Sequence, residues 1–277
     1  MHEAVAAVLT ALKDICPLVQ NITNFVVMEV NADVLLAAGA SPIMAHAKEE
    51  LAEMAAICDG LTINIGTLDE PWIGSMFEAG KEARARGKVV VLDPVGAGAS
   101  KLRTGTAIGI LEQLRPDVMR CNGSELLAVA GQSGATRGVD STMSSNEAVN
   151  SAMLLAERYG MVCSVSGETD YVTDGKTVLS VTGGSPLMTL VTGMGCSASA
   201  LTTACVAAAR KAGIAGADLA GAAAAMALMA EAGENAARVS MGPGTFLPHF
   251  LDALYNALPG NAAQRVREVS LDEIQAL

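Results

Sequence analysis

The sequence predicts an α/β protein with a central, mostly parallel sheet flanked by helices. The first observation is a set of short apolar segments, each bounded by Gly, Pro or Asp, which is the pattern of buried strands. These segments are residues 61–65, 88–92, 117–120 and 161–166. The second observation is that helical patterns separate the first three segments, at 71–86 and 105–114. Strands that alternate with helices are expected to pair in parallel.

The composition agrees with a layered core of small and aliphatic side chains. Hydrophobic residues make up 51% of the chain and aromatic residues only 3%, a balance that favours closely packed α/β layers. A chain of 277 residues can bury one large core or two modest ones. No linker rich in Pro or Ser divides it, so we expect a single domain over residues 1–277. The alanine-rich C-terminal third predicts helices packed face to face.

Charge and cysteine content limit the partners and the compartment. The 29 acidic and 18 basic residues give a formal net charge of −11, and Lys and Arg form no cluster. We therefore expect neither nucleic acid nor a membrane as a partner. The first residues do not resemble a secretory signal, and the six cysteines form no CxxC pair. These features indicate a cytoplasmic protein with reduced thiols.

Polar residues follow the predicted strands, at the edge where open parallel sheets bind their ligands. After residues 88–92 comes DPVGAG, which places Asp93 at a strand end ahead of a flexible turn. One interpretation is an ordinary turn, in which Asp93 accepts hydrogen bonds from nearby backbone N–H groups. The other interpretation makes Asp93 a ligand of Mg²⁺ or of its bound waters.

The segment RCNGSE after the next strand also has two interpretations. Asn122, followed three residues later by Glu125, is close to a capping box that needs no ligand. Alternatively, Glu125 joins Asp93 at a metal, while Arg120, a planar and permanently charged donor, pairs with phosphate. The chain has no GxxxxGK[ST] phosphate loop. At the fourth strand end Ser166 offers a hydroxyl beside a glycine, although a hairpin turn explains this segment nearly as well.

The stretch TGMGC, residues 192–196, precedes a long alanine-rich helix. Gly193 and Gly195 allow a sharp turn that directs successive N–H groups outward, and the helix dipole adds positive charge. This arrangement predicts an anion hole suited to a transferring phosphoryl group. Cys196 lies in the first helical turn, where the dipole should lower its pKa, so we expect it to accept a proton from an alcohol.

Two other roles for Cys196 remain open at this point. One is a covalent nucleophile, which ordinarily needs a nearby imidazole, whereas His2, His46 and His249 are all distant from it in sequence. The other is a buried structural thiol, which is the ordinary role of a single cysteine.

Several segments together resemble the hydroxyethylthiazole kinase family. They are TGMGC, DPVGAG, RCNGSE, the long stretch at 17–50 and GPGTFLPHFLDALY at 242–255, all in the order found in that family. The resemblance implies a ribokinase-like, three-layer fold and the ATP- and Mg²⁺-dependent phosphorylation of 4-methyl-5-(2-hydroxyethyl)thiazole, on its primary hydroxyl, in thiamine salvage. It also implies a homotrimer with active sites between neighbouring subunits.

The resemblance also implies roles for individual residues. Met44 and Gly193 would contact the thiazole. Cys196 occupies the position where most ribokinase-like kinases carry an aspartate base. The remaining implied contacts are with ATP through Arg120 and Ser166 and with Mg²⁺ through Asp93 and Glu125.

The chain departs from the family pattern at a few positions. Met194 replaces an expected Thr, Gln20 an expected His, and Glu29 with Val30 an expected Asn followed by an aromatic residue. We expect the change at Met194 to leave the backbone donors of the anion hole in place. The other changes should adjust substrate contacts or the subunit interface.

Helix caps explain other polar residues without a ligand. Asn21 or Thr23 is expected to cap the helix that follows NITN, and Thr245 to cap the last helix.

Other functions stay compatible with the sequence. Within the same fold, the protein could phosphorylate another small alcohol, such as a hydroxymethylpyrimidine, or be an ATP-dependent dehydratase. A different class is an acyl transferase or hydrolase that uses Cys196 and needs no ATP. A non-catalytic binding protein is disfavoured, because polar groups gather at several strand ends.

Overall fold

The computed structural model describes residues 1–131 and 145–275. Within those ranges the strands form one nine-stranded sheet in the order β2-β1-β3-β4-β5-β6-β7-β8-β9. The first six strands are parallel, and the last three pair antiparallel. Their bounds are β1 Leu18–Ile22, β2 Ser41–Ile43, β3 Gly60–Asn64, β4 Val89–Asp93, β5 Val118–Asn122, β6 Val162–Ser166, β7 Asp170–Thr173, β8 Val178–Val181 and β9 Val266–Glu268.

Helices cover both faces of the sheet, so the α/β prediction is confirmed. Alternate residues of each central strand enter different cores: Val89 and Val91 pack on one face, and Val90 and Leu92 on the other. The helices are α1 His2–Ile15, α2 Met28–Ala38, α3 Leu51–Ile57, α4 Glu70–Ala85, α5 Lys101–Leu114, α6 Gly123–Ala130, α7 Ser145–Tyr159, α8 Met194–Lys211, α9 Ala217–Val239, α10 Pro243–Tyr255, α11 Pro259–Ala263 and α12 Leu271–Gln275.

The four predicted strands correspond to β3, β4, β5 and β6, with ends shifted by one or two residues. The hairpin expected after Ser166 is also present, since β6 and β7 pair antiparallel. Strand β1 was missed because its polar residues, Gln20 and Asn21, are both buried. They interrupt the alternation of polar and apolar residues by which a strand is recognised.

Two predicted helix caps are wrong. Asn21 lies within β1, and the N-cap of α2 is Val27, whose side chain cannot accept a hydrogen bond. The N-cap of α10 is Gly242, while Thr245 Oγ1 accepts a bond from the Met241 N–H, which precedes the helix. Nor is α10 the last helix, because α11 and α12 follow it.

No disulfide joins the six cysteines, all of which lie in the described ranges. Among helices of the described residues, none is long and apolar enough to cross a membrane.

Helices α8 and α9 form the alanine-rich centre of one helical layer. Every residue of α8 from Ser197 to Ala209 and of α9 from Leu219 to Ala232 is buried. Alanine is the commonest residue in both segments. Side chains this small allow the two helix backbones to approach closely. The two backbones are in contact at Gly221, where a Cβ would lie 2.7 Å from Val206 Cα and 2.8 Å from Val206 N.

We expect Gly221→Ala to lower the free energy of unfolding by about 1–3 kcal/mol, because the added methyl group would push the two helix backbones apart. The matched control is Gly105→Ala in α5, where no heavy atom lies within 4 Å of the new Cβ. This control should raise stability by up to ~1 kcal/mol through helix propensity alone. Urea denaturation of the three proteins measures both effects. Equal stability of Gly221→Ala and the unsubstituted protein would contradict the close packing.

Candidate active site

Four neighbouring strands end in polar residues at one edge of the sheet. They are Asn64 of β3, Asp93 of β4, Asn122 of β5 and Ser166 of β6. Asn64 is in register with Asp93, and Asn122 with Ser166. The structure therefore gathers these side chains at the carboxyl ends of the parallel strands, where the sequence predicted Asp93, Asn122 and Ser166 but not Asn64.

Asp93 is the buried carboxylate of this edge, with only 2% of its surface exposed. Its Oδ2 accepts a hydrogen bond from Asn64 Nδ2 at 2.6 Å and another from Ser199 Oγ of α8 at 2.8 Å. Burial raises the pKa of Asp93 to about 7, and the charge of Glu125 acts in the same direction. Arg120 and the two hydrogen bonds lower the pKa, without cancelling the effect of burial.

Arg120 lies beside the glycine turn that the sequence predicted as an anion hole. Its Nη1 is 2.9 Å from the position that a Cβ on Gly195 would occupy, so a side chain at residue 195 would collide with the guanidinium. Arg120 is 9% exposed, and its Nε has no hydrogen-bond partner among the described residues. In the same ranges no carboxylate lies within salt-bridge distance of it.

Glu125 forms the capping box that the sequence suggested. Asn122 Oδ1 accepts from the Glu125 N–H, and Glu125 Oε2 accepts from the Asn122 N–H, both at 2.9 Å. Its other oxygen, Oε1, accepts from the Gly96 N–H at 2.9 Å, within the DPVGAG turn. Glu125 thus joins the loop after β4 to the start of α6. A capping role and a metal-binding role are compatible, because each oxygen keeps a second lone pair.

Ser166 ends β6 and donates a long hydrogen bond, 3.4 Å, to the Cys121 carbonyl. Close by, Asp170 at the start of β7 accepts from the Gly167 N–H and is within the electrostatic influence of Arg120. Burial raises the pKa of Asp170 to about 6. Sequence reasoning missed this acid, although its position two residues after Glu168 in the hairpin is visible in the sequence.

Only Gly193 forms the sharp turn that was predicted for both glycines, because Gly195 is the second residue of α8. Gly193 has φ +94°, a conformation that side-chain-bearing residues rarely adopt, and it is the N-cap of α8. Cys196 is the third residue of the helix and is partly exposed. Its Sγ accepts a hydrogen bond from Asn24 Nδ2 at 3.5 Å.

The expected lowering of the Cys196 pKa is wrong. Burial raises it to about 11, and the negative charge of Asp93 raises it further. The hydrogen bonds of the asparagines and the charge of Arg120 lower it only in part. The helix dipole was visible in the sequence, whereas burial and the position of Asp93 depend on the tertiary fold.

None of the three histidines is placed as a base for Cys196. His2 Nε2 bonds the Val266 carbonyl at 2.6 Å, and His249 Nδ1 bonds Ser240. The His46 ring packs on Trp72 with 3.9 Å between centroids. The structure therefore lacks the imidazole that a covalent cysteine nucleophile ordinarily needs.

Met44 lies apart from the other predicted site residues of the same chain. It follows the edge strand β2, and β1 and β3 lie between β2 and β4. At ~4.8 Å per strand, Met44 is about 14 Å from the strand of Asp93. Gln20 fixes this loop, because its Nε2 donates to the Ala45 carbonyl at 3.1 Å.

The other departures from the family pattern lie outside the anion hole. The Met194 side chain is buried in the core beneath α8, so it replaces no contact at the mouth of the turn. Glu29 is exposed on α2, and Val30 packs against Gly193, 3.4 Å from its hypothetical Cβ.

Carboxylate and thiol groups are too dispersed to form a metal site by themselves. Within the described ranges, no group of three or more His, Cys, Asp or Glu side chains could hold a metal ion. Asp93 at the end of β4 and Glu125 in the first turn of α6 are the two carboxylates predicted for a metal, and the charge of Glu125 acts on Asp93.

Comparison with known proteins identifies the family. The model of the hydroxyethylthiazole kinase family matches residues 9–259. The chain belongs to this family. It is 57% identical to the hydroxyethylthiazole kinase of Nitratidesulfovibrio vulgaris (strain DP4), over 89% of this chain and 90% of the relative. It is 47% identical to that of Brachyspira hyodysenteriae, over 97% of this chain and 99% of the relative.

Solved structures of family members and more distant kinases share the fold. The hydroxyethylthiazole kinase protein from Pyrococcus horikoshii OT3 superposes with a TM-score of 0.86 at 38% identity, covering 97% of this chain and all of that one. Pyridoxal kinase from Staphylococcus aureus, in complex with AMP-PCP and pyridoxal, gives 0.59 at 16% identity, covering 91% of this chain and 99% of that one. The latter likeness concerns the fold alone, which is ribokinase-like.

We expect alkylation of Cys196 by iodoacetamide to accelerate about tenfold per pH unit up to about pH 10. The thiolate is the reacting species, and burial keeps it scarce below the raised pKa of about 11. Peptide mapping by mass spectrometry after timed alkylation gives the rate, with the exposed Cys16 as an internal reference. A profile for Cys196 that levels off below pH 9 would show that the thiolate is more stable than the burial implies.

Proposed function

We propose that the protein is a cytoplasmic kinase of thiamine salvage. It transfers the γ-phosphoryl group of ATP to the primary hydroxyl of 4-methyl-5-(2-hydroxyethyl)thiazole. Membership of the hydroxyethylthiazole kinase family and high identity to its named members support this reaction. The six free thiols fit a reducing compartment.

The observation that carries this proposal is the buried Arg120 beside the glycine turn, which has no carboxylate within salt-bridge distance among the described residues. A buried guanidinium without a salt-bridge partner is unfavourable, and its planar donor geometry matches the oxygens of a phosphate. The first N–H groups of α8 add fixed donors for the same anion. We therefore assign the mouth of the glycine turn, where Arg120 lies beside the first N–H groups of α8, to the ATP phosphates. Ser166, two strands from Asp93, is assigned to ATP as well.

The strand-end carboxylates fit Mg²⁺. This ion usually takes one or two protein carboxylates, keeps several waters and binds the substrate phosphates, so a larger protein cluster is not needed. Asp93 and Glu125 supply such a pair, and burial of Asp93 without a cation leaves its pKa raised to about 7. When bound, Mg²⁺ supplies positive charge that offsets the charge of the phosphates.

Cys196 is assigned as the proton acceptor. In the reacting state Cys196 is a thiolate, and the proton of the substrate hydroxyl moves to Sγ. The hydroxyl oxygen forms a bond to the γ-phosphorus, and the bond from that phosphorus to its bridging oxygen breaks, which leaves ADP. Arg120 and the Gly193–Gly195 backbone hold the charge of the transferring group. Gly193, which packs against Val27 and Val30, is assigned to the thiazole as well.

A homotrimer with active sites between subunits accounts for Met44. Within one chain, Met44 lies about 14 Å, or three strand spacings, from the strand of Asp93, which fits a contact with the thiazole made from a different subunit. A neighbouring subunit can supply it. Phe25 and Val26, 61% and 69% exposed, follow the Asn24 that contacts Cys196 and offer an apolar surface for the neighbour.

The reaction is tested by ADP formation from ATP and Mg²⁺, with and without the thiazole, while mass spectrometry follows the thiazole product. We expect ADP to form only with the thiazole and in equal amount to its monophosphate. A folded protein that binds ATP but leaves the thiazole unchanged would refute this substrate. Parallel assays with a hydroxymethylpyrimidine would then test the nearest alternative.

We expect Cys196→Ser to lower kcat by about 10²–10⁴-fold, the usual contribution of a positioned base. The KM for ATP should change little, because Arg120 and the backbone donors remain. Steady-state kinetics with both substrates measure this. An unchanged kcat would remove the proton-acceptor role from Cys196, while leaving the kinase reaction in place.

The interface arrangement predicts that two inactive variants restore each other. We expect Met44→Asp and Cys196→Ala to be nearly inactive separately. After mixing under subunit exchange, some sites combine an intact Met44 with an intact Cys196, so activity should return to a fraction of the unsubstituted level. Light scattering should give about 85 kDa, three times the 28.2 kDa of one chain. A 28 kDa monomer or no complementation would contradict shared sites.

A further inference from the structure

Two buried asparagines connect the carboxylate of Asp93 to the thiol of Cys196. Asn64 Nδ2 donates to Asp93 Oδ2 at 2.6 Å, and Asn64 Oδ1 accepts from Asn24 Nδ2 at 3.0 Å. Asn24 Nδ2 also donates to Cys196 Sγ at 3.5 Å. Asn64 and Asp93 end the adjacent strands β3 and β4, Asn24 lies in the loop after β1, and Cys196 lies in α8. Only the folded protein brings these four residues together.

Backbone donors fix the direction of both amide groups. Asn64 Oδ1 accepts from the Gly66 N–H at 2.9 Å, and Asn24 Oδ1 accepts from the Val26 N–H at 3.2 Å. An N–H group can only donate, so each amide oxygen must face its backbone donor. The Asn24 NH₂ group then faces the oxygen of Asn64 with one hydrogen and Sγ with the other. The sulfur of Cys196 is therefore held as an acceptor.

The packing around Asn24 prevents its amide from turning away. Asn24 is 5% exposed. At residue 66 a Cβ would lie 2.7 Å from Asn24 Nδ2 and 3.0 Å from Asn24 Cβ, so the absence of a side chain at Gly66 creates the space that the amide fills. Both N–H groups and the oxygen of the Asn24 amide are hydrogen-bonded. An amide turned by 180° would bring its own oxygen against Asn64 Oδ1.

We propose that Asn24 and Asn64 are positioning residues that present an N–H donor to Cys196 Sγ, so that the sulfur meets the substrate hydroxyl as a proton acceptor. The inference rests on the proposed function for its catalytic meaning, but the contact can be tested without turnover. A hydrogen bond to a charged acceptor is stronger than one to a neutral acceptor, so the donor favours the thiolate over the thiol. If residue 24 presented an acceptor in place of this donor, the S–H of Cys196 would donate to residue 24 and the thiol form would be favoured.

The main test compares Asn24→Asp and Asn24→Leu, two substitutions of similar size, with Thr23→Val as the control. Thr23 is a neighbouring buried residue whose hydroxyl has no hydrogen-bond partner among the described residues, and so none in Cys196. Asn24→Asp replaces the donor with an oxygen, and Asn24→Leu removes it. Thermal unfolding of each variant checks that the fold persists.

We expect both Asn24 variants to slow the alkylation of Cys196 at pH 9 by about tenfold or more, the effect of one hydrogen bond to a charged group. The kcat should fall by a similar factor, while the KM for ATP stays within about twofold. Thr23→Val should change neither rate. Unchanged alkylation and kcat in a folded Asn24→Asp protein would overturn the proposal. Slower alkylation without any kinase activity in the unsubstituted protein would support the contact and refute the proposed reaction.

If the Asn24 variants do not fold, the contact can still be tested by NMR in protein that keeps Asn24. In protein labelled with ¹⁵N-asparagine, one side-chain N–H proton of Asn24 should change its chemical shift when Cys196 is replaced by Ala. The replacement Cys16→Ser, at the opposite end of β1, should leave the signal in place. An Asn24 signal that does not respond to Cys196→Ala would overturn the proposal.

Discussion

The site depends on one constraint, the burial of the Asp93 carboxylate at the end of β4. A carboxylate that is 2% exposed must obtain from the protein the interactions that water would otherwise supply. Asn64 from the neighbouring strand and Ser199 from α8 donate to it, which ties the sheet to the helix that begins at the glycine turn. The Asp93 carboxylate thus helps to fix the position of α8 over the sheet, through the hydrogen bond from Ser199.

The same carboxylate divides the site into two sides. On one side, Arg120 and the loop held by Glu125 form the region assigned to phosphate and metal. On the other, Asn64 and Asn24 lead to Cys196. Asp93 raises the pKa of the thiol and Arg120 lowers it, so positive charge gathered near Asp93 favours the thiolate. Electrostatics therefore couples the phosphate region to the proton acceptor.

Local sequence patterns predict the elements whose conformation depends on residues that are close in sequence. Strands β3 to β6 were located to within two residues because they are short, mainly apolar segments bounded by Gly, Pro or Asp. Gly193 was recognised because a sharp turn before a helix favours glycine. Strand β1 was missed, since Gln20 and Asn21 are buried polar residues. Asn24 was not singled out, because its partners Asn64 and Cys196 are 40 and 172 positions away. For Cys196, the helix dipole gave the wrong direction of the pKa shift, because burial is a property of the whole fold.

The most direct measurement of the central constraint is a pH titration of the Asp93 carboxyl carbon by NMR, in protein labelled with ¹³C at aspartate side chains. Asp93→Asn assigns the signal by its loss. The burial predicts a midpoint near pH 7 in the protein without ligands, well above the ordinary range of an aspartate. A midpoint near 4 would mean that Arg120, Asn64 and Ser199 fully compensate the burial, and the coupling of Asp93 to Cys196 would then lose its physical basis.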